Sequence, residues 1–465
     1  MAWYTDAPGE GRVRWYNEAG EAGEAVAAAG SRRREATLRG LKPGGVYNYR
    51  VYSPAGPLAT AGGDAEFALR APDAEELRFV VFGDSGTGEP AQVAIARAIR
   101  DESRLPDLVL ILGDVVYPPF DAQSWDAKFF APYASLLPSV PFYALLGNHD
   151  YELLGGQPFL EVFSLPRNGP PGLVPETSYL LERAGSQLVV HDTNLSPAML
   201  RQHALPWHAQ LARASASFRL VFEHHTLYSS GPNADAAPLP ELRALLAPLY
   251  TASGVDVVFG GHEHFYERTR PIGGVVYVTS GAGGAALYPR TTTNPWSAAF
   301  VNDRHGYTYV ELGRRSLKLR QMDVEGAALD SMTLTRAVSF ADPLRVDGGA
   351  AAAPRGWTSA GFDDSAWSAP LGAPGRLRAR RAFWLESGAA SDAFLRVRGL
   401  SDYQVWLNEA PVARGGLVGD APESFELDGK RLRPGRNLLA IEGFRGADAT
   451  ASEALELTLV SPGRR

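Results

Sequence analysis

Leu77-Arg78-Phe79-Val80-Val81-Phe82-Gly83-Asp84-Ser85-Gly86 is the stretch on which the fold turns. Its run is apolar but for Arg78, too continuous for a strand with one wet face, and it stops at a glycine-aspartate turn. A helical pattern comes next over 91–102, with Val93, Ile95 or Ala96, and Ile99 on one side. Leu108-Val109-Leu110-Ile111-Leu112 then repeats the apolar run and stops at Gly113-Asp114. Strand, helix, strand with covered faces predicts βαβ units. The pattern recurs at 141–146, 217–223, 255–259 and 275–280, with helices expected at 202–214 and 239–251. Residues 75–336 therefore read as one α/β domain.

On either side the texture is β. In residues 1–72, Val13-Arg14-Trp15-Tyr16 alternates, as does Val46–Tyr52 after the turn Lys42-Pro43-Gly44-Gly45. Tyr47, Tyr49 and Val51 fall on one face, as a half-buried sandwich strand requires. The spacing of Leu41, Pro43 and Tyr47 resembles the late-strand corner of a fibronectin type III module. The chain opens almost inside a strand, at Ala2-Trp3-Tyr4-Thr5, which fits a module lacking a preceding strand and an export signal. From about 340, the small-residue linker Ala350–Pro354 leads into alternating segments at 382–386, 393–398, 403–407 and 437–442. Leu407-Asn408-Glu409 and Pro434-Gly435-Arg436-Asn437 are turns between them.

Composition narrows the function classes. Of 465 residues, 45% are hydrophobic and 21% charged, as in globular protein. The 49 glycines and 34 prolines exceed the usual share and favour turn-rich β modules. A net charge of −7 argues against a broad nucleic-acid footprint. No apolar run approaches the ~20 residues of a membrane span. With no cysteine, disulfides, thiolate metal sites and cysteine nucleophiles are excluded. Met1-Ala2-Trp3-Tyr4-Thr5-Asp6 has neither the basic start nor the apolar core of a signal peptide.

The chemistry gathers in five clusters, nearly all just after an expected strand. They are Gly83-Asp84-Ser85-Gly86, Gly113-Asp114-Val115-Val116-Tyr117, Gly147-Asn148-His149-Asp150, Val221-Phe222-Glu223-His224-His225 and Gly260-Gly261-His262-Glu263-His264. Strand carboxyl ends in an α/β sheet open onto one crevice, so these side chains converge without being neighbours in sequence. Carboxylate, amide and imidazole together suit Fe, Zn or Mn. Two aspartates, an asparagine, three histidines and a tyrosine exceed what one ion uses. A shared carboxylate fits two ions ~3.5–4 Å apart, the two-metal arrangement of phosphate chemistry.

The ordered set resembles the metallophosphoesterase superfamily and, within it, the purple acid phosphatases. Their pattern is Asp, Gly-Asp-x-x-Tyr, Gly-Asn-His-(Asp/Glu), Val-x-x-His and Gly-His-x-His, and each block occurs here in order between 84 and 264. The resemblance implies a central four-layer α/β/β/α domain. It also implies a first metal, usually Fe(III), on Asp84, Asp114, Tyr117 and His264. A second ion, Fe(II), Zn(II) or Mn(II), would sit on Asn148, His224 and His262, with Asp114 bridging. His149 would serve substrate or leaving group. His225 stands where relatives often carry a nearby proline, and it joins the catalytic set as a residue assisting behind the ligands or binding phosphate. The implied activity is phosphate monoester hydrolysis by a secreted, periplasmic or envelope-associated enzyme. Two alternatives stand beside it: a phosphodiesterase acting on cyclic nucleotides or phospholipid head groups, and a surface or polysaccharide binder carrying a phosphoesterase domain. Gly356-Trp357, Phe362–Trp367, Val405–Asn408 and Gly435–Ala440 resemble galactose-binding-like jelly rolls, which implies a β-sandwich over 340–465 and, in some cases, carbohydrate binding.

Plainer readings apply elsewhere. Tyr117 is a ligand or a packed aromatic, with Pro118-Pro119 stiffening the loop beyond it. His191, His203 and His208 read as structural or surface residues. Tyr266 and Arg268 either meet substrate or form packing and a salt bridge, and His305 lies in a loop that could reach the site's edge. Trp357, Trp367 and Trp406 offer a sugar platform or core packing, with packing expected.

Overall fold

The computed structural model spans the 465-residue chain. It describes all residues except 5–8, 28–32, 60–62, 64–65, 119–120, 349–351, 370–373, 386–389, 391, 417–421, 447–454 and 463–465. Pro119 and the start of the alanine linker thus lie outside the described residues.

Two large sheets carry the site. In the first, Phe142–Ala144, Leu108–Ile111 and Glu76–Phe82 run parallel side by side. Gly306–Gly313 pairs antiparallel with Glu76–Phe82, and Ser316–Asp323 and Ala328–Val338 come after it. The sheet does not stop at the expected boundary near 336–340. Leu455–Pro462 pairs with Ala328–Val338, and Asp392–Val397 and Glu423–Asp428 complete nine strands. An uncovered edge at Ala328–Val338 would leave a row of unpaired N–H and C=O groups, and the C-terminal strands satisfy them.

The second sheet has seven strands in the order Tyr179–Arg183, Ser186–Val190, Arg219–His225, Val257–Gly261, Val276–Ser280, Tyr266–Thr269, Ser297–Val301. Its centre is parallel and its two edges antiparallel. Strand alternation sorts its side chains. Phe222 and Phe259 stack at 5.2 Å and meet Phe79 of the nine-stranded sheet edge-on. Val221, Val258 and Tyr277 instead pack with Trp207, Leu211, Leu242, Leu246 and Tyr250 from the helical layer. That layer includes Leu239–Ala252 and Leu205–Arg213, the latter entered through a wide turn at Leu200–Ala204. Pro206 lacks the N–H that a regular turn would need there.

Helix Pro90–Arg100 differs from expectation in its phase. Gln92, Ile95, Ala96 and Ile99 are buried, while Val93 is 49% exposed. Gln92 tolerates burial because its amide is satisfied: it accepts from Gly88 N–H at 2.8 Å and donates to Lys128 C=O at 2.6 Å.

Near the N-terminus, Gly11–Tyr16 pairs between Ala22–Ala27 and Val46–Ser53, and Val13, Trp15, Tyr47, Tyr49 and Val51 form one core. Tyr47 OH accepts from Lys42 N–H at 2.8 Å and donates to Glu21 at 2.9 Å. This region docks through Tyr49 OH on Pro138 C=O, 2.6 Å, and through Arg33 on the carbonyls of Leu160 and Phe163.

In the C-terminal region a five-stranded sheet, Arg345–Asp347, Gly375–Leu385, Gly435–Arg445, Ser401–Leu407 and Ala410–Gly415, shares a core with Asp392–Val397 and Leu455–Pro462. Asn408 and Glu409, at φ 49° and 74°, are the left-handed pair that closes the hairpin Ser401–Leu407/Ala410–Gly415. Trp357 and Trp367 are buried beside Ala440, with Trp406 packed against them, so these rings fill a core. Trp384, by contrast, is 70% exposed.

Replacing Tyr47 with Phe removes both hydroxyl contacts. It is expected to lower the opening free energy of the Val46–Ser53 amides by about 1 kcal/mol, read by hydrogen exchange.

Candidate metal centre

Five strand ends deliver the clusters to one place. Glu76–Phe82, Leu108–Ile111 and Phe142–Ala144 are neighbours in one sheet and lead into Asp84, Asp114 and Asn148. Arg219–His225 and Val257–Gly261 are neighbours in the other and bring His224, His262 and His264. Asp84, Asp114 and His262 adopt φ values of 59°, 50° and 69°. For non-glycine residues this left-handed backbone is strained, and it persists only where the surroundings enforce it. Gly147 lets two loops touch, since a Cβ there would stand 2.0 Å from Asp114 Oδ1.

The donor atoms form two foci. At one, Asn148 Oδ1 lies 2.9 Å from His224 Nε2 and 2.9 Å from His262 Nδ1. At the other, His264 Nε2 lies 3.2 Å from Tyr117 OH and 3.6 Å from Asp84 Oδ1. Asp114 joins them, with Oδ1 3.5 Å from His224 Nε2, and the donor atoms of Asp84, Asp114 and His224 lie within 4.8 Å of one another. Outer contacts fix the rings. His224 Nδ1 faces Leu112 C=O at 2.7 Å, and His264 Nδ1 faces Ala286 C=O at 2.8 Å. A carbonyl accepts only, so each Nδ1 carries hydrogen and each neutral ring turns its Nε2 lone pair inward. Asn148 Oδ1 is also an acceptor. A cation among Asn148 Oδ1, His224 Nε2 and His262 Nδ1 would satisfy all three together.

The electrostatics make the same demand. Burial, then the charge of Asp84, pushes Asp114 up to about 7. Burial, then Asp114, pushes Asp150 up to about 7. Burial and next His224 push His262 down to about 3. Burial opposes the His264 imidazolium, but contact with Asp84 and its charge lift that ring above the ordinary value. Tyr117 is raised by burial and by both aspartates. A bound cation reverses this pressure on every oxygen ligand. The residues present therefore fit two metal ions.

The other expected residues divide between the site and its scaffold. His149 donates its backbone N–H to Asp114 at 3.0 Å, and its half-exposed ring places Nδ1 2.6 Å from the Glu152 carboxylate. His225 is only 3% exposed, with Nδ1 2.9 Å from Thr193 Oγ1 and its ring 4.8 Å from that of His262. His305 Nδ1 faces Ala282 C=O at 3.3 Å. Tyr266 and Arg268 both bond Asp330, so packing and a salt bridge account for them. His191 and His208 are buried beside Tyr250, and His203 meets Pro171 C=O.

Two further residues at the site carry no expectation from sequence. Asp150 accepts from Gly147 N–H at 2.9 Å and Val115 N–H at 3.2 Å, clamping two ligand loops together. Its place inside the Gly-Asn-His-Asp block was the available signal. Tyr288 stacks on His264 at 4.0 Å and 17°, from a coil whose sequence carries no period to reveal it.

Comparison with known proteins agrees with this geometry. A family model for calcineurin-like phosphoesterases matches residues 77–266. Purple acid phosphatase 4 of Arabidopsis thaliana is 26% identical over 284 residues, covering 54% of this chain and 82% of that protein. Tartrate-resistant acid phosphatase type 5 of Rattus norvegicus is 26% identical over 304 residues, covering 57% of this chain and 91% of that protein. Among solved structures, a purple acid phosphatase from yellow lupin (Lupinus luteus) seeds matches with TM-score 0.59 over 71% of each chain at 20% identity, a likeness of fold. Residues 77–266 thus form a calcineurin-like metallophosphoesterase domain whose homologues include purple acid phosphatases.

Proposed function

We propose that this chain hydrolyses phosphate monoesters at a dinuclear centre of Fe(III) with Fe(II), Zn(II) or Mn(II). The observation that carries the reading is Tyr117 OH at 3.2 Å from His264 Nε2, which sets a phenol among carboxylate and imidazole donors, a mixed oxygen and nitrogen set that suits iron. The names of the two acid phosphatase relatives support it. Asp84, Asp114, Tyr117 and His264 would hold one ion, and Asn148, His224 and His262, together with Asp114, would hold the other. When bound, the ions supply charge that offsets the anionic ester and lowers the pKa of water.

The chain's own residues do the rest. Leu112 and Ala286 carbonyls keep the lone pairs of His224 and His264 inward. Glu152 lies 2.6 Å from His149 Nδ1, which leaves Nε2 as the atom to pass a proton to the leaving alkoxide. His225, anchored by Thr193, backs the His262 ring. Residues 75–336 serve as a four-layer α/β/β/α catalytic domain. They are flanked by a fibronectin type III-like module over 1–72, whose Tyr47 corner supports the reading, and a galactose-binding-like sandwich over 340–465. The protein acts outside the cytoplasm, in line with the acid phosphatase reading.

The test is turnover by the metal-reconstituted protein. Aryl monoester should be cleaved faster than aryl diester with an acidic optimum, and a diester preference would overturn the assignment. Tyr117→Phe is expected to keep metal but lose visible absorption, whereas Asp114→Asn loses metal and turnover together; metal analysis and absorption spectra separate the two. The carboxyl part of the metal-free protein's stability should depend on pH in a set direction. Asp114 and Asp150 are raised to about 7, so the folded state holds protons that the unfolded chain releases near pH 4. Their contribution is complete below about pH 4 and lost as pH rises through about 7. Between about pH 8 and about pH 5 the lowered His262 and His191 act in the opposite sense, so the carboxyl contribution is read as a difference: chelator-treated Asp150→Asn should gain less midpoint from about pH 8 to about pH 5 than the chelator-treated unaltered protein.

A further inference from the structure

The loop that presents Tyr117 is held from two directions. Tyr117 N–H donates to Gly86 C=O at 2.9 Å, which ties it to the loop of Asp84. Pro118 comes next, and a proline nitrogen carries no hydrogen, so that residue adds no main-chain donor of its own to fix the loop. The second hold is a side chain from a later segment. Lys128 Nζ donates to Tyr117 C=O at 3.0 Å and to Pro118 C=O at 2.9 Å. An ammonium has three donors and no acceptor, which suits a pair of adjacent carbonyls.

Another proline brings that lysine into place. Lys128 lies in the wide turn Asp126–Phe130, where Ala131 N–H reaches back to Asp126 C=O, one residue further than in a regular helix. A regular helix would have residue 132 donate to Lys128 C=O, but residue 132 is proline. Gln92 Nε2 answers that carbonyl instead, at 2.6 Å. On the inner side Phe129 is buried between Trp125 and Tyr133, with ring separations of 5.9 and 5.7 Å, which fixes the rotation of the turn. The lysine stem lies against Gly88, where a Cβ would stand 3.4 Å from Lys128 Cγ. Backbone, stem and ammonium are thus each placed by a named contact.

The consequence falls on one side chain. With its N–H on Gly86 and its C=O on Lys128, Tyr117 has only its side-chain torsions left to aim the phenol. The rings of His149 and His264 bound it at 5.0 and 6.4 Å. Bonds from an ammonium are charge-assisted, and groups behind a metal ligand set its orientation.

We propose that Lys128 is a positioning residue for Tyr117, setting the place from which the phenol reaches the focus it shares with His264. The role rests on the reading of Tyr117 as an iron ligand. The experiment compares the full chain with Lys128→Met, which keeps most of the stem and loses the ammonium, both reconstituted with iron. The variant is expected to retain iron through Asp84, Asp114 and His264 while its visible absorption maximum shifts. In the metal-free protein the Tyr117 amide of the variant should exchange roughly fivefold faster or more. An unmoved visible maximum in Lys128→Met overturns the proposal even where the amide exchanges faster, because the lysine then only steadies the loop. An unchanged amide overturns it as well. No visible band in the unaltered protein with iron bound overturns the ligand reading itself, and the role of the lysine falls with it.

Discussion

Two carboxylates buried side by side, Asp84 and Asp114, set the terms for everything around them. Even at an effective dielectric near 20, unit charges about 4 Å apart repel by about 4 kcal/mol. The chain answers with donors, since Asp84 accepts the His262 N–H and Asp114 the His149 N–H. These are partial charges against whole ones. The left-handed backbone at both aspartates adds a further cost of order 1–3 kcal/mol each. So expensive an arrangement persists because the strands on either side leave the loops no other course.

The division of ligands between two sheets arises from that need. A single sheet offers its strand ends in a row, which suits a flat crevice. Two sheets packed through Phe79, Phe222 and Phe259 bring their carboxyl ends together from opposite sides, so donors surround a volume. Gly147 and Asp150 then draw the Asp114 and Asn148 loops into contact. Precision comes from the sheets and closeness from the loops.

Much of this was legible because chemistry-bearing residues come after apolar runs at fixed punctuation. Glycine and aspartate after Phe82 and Leu112 announce a strand's end as plainly as a ligand. Partnership was not legible. Leu334 pairs with Val460 across a long stretch of chain, and alternation fixes a strand's faces but not its neighbour. Hence a sheet that reads as two in sequence is continuous in space. The phase of Pro90–Arg100 is hidden for a different reason: Gln92 looks exposed until Gly88 and Lys128 satisfy its amide. Trp357 and Trp367 illustrate the reverse case, in which packing was the use expected from sequence and the rings do lie in a core.

The continuity of that sheet gives the C-terminal region a bearing on the metal centre that contact alone would not. Arg219 and His224 lie on one strand, roughly 17 Å apart at the usual rise per residue, too far for direct contact. Position is transmitted instead. Arg336 holds Ser217 C=O, and Arg396 holds the carbonyls of Val255 and Gly274. Those carbonyls precede the strands Arg219–His225, Val257–Gly261 and Val276–Ser280, and the first two end at His224 and His262. Two arginines, one from Ala328–Val338 and one from the C-terminal strands, thus register the starting points of the strands whose far ends carry imidazole ligands. A strand anchored at its origin and packed on both faces has little freedom to slide. The C-terminal region therefore serves the centre as part of its frame.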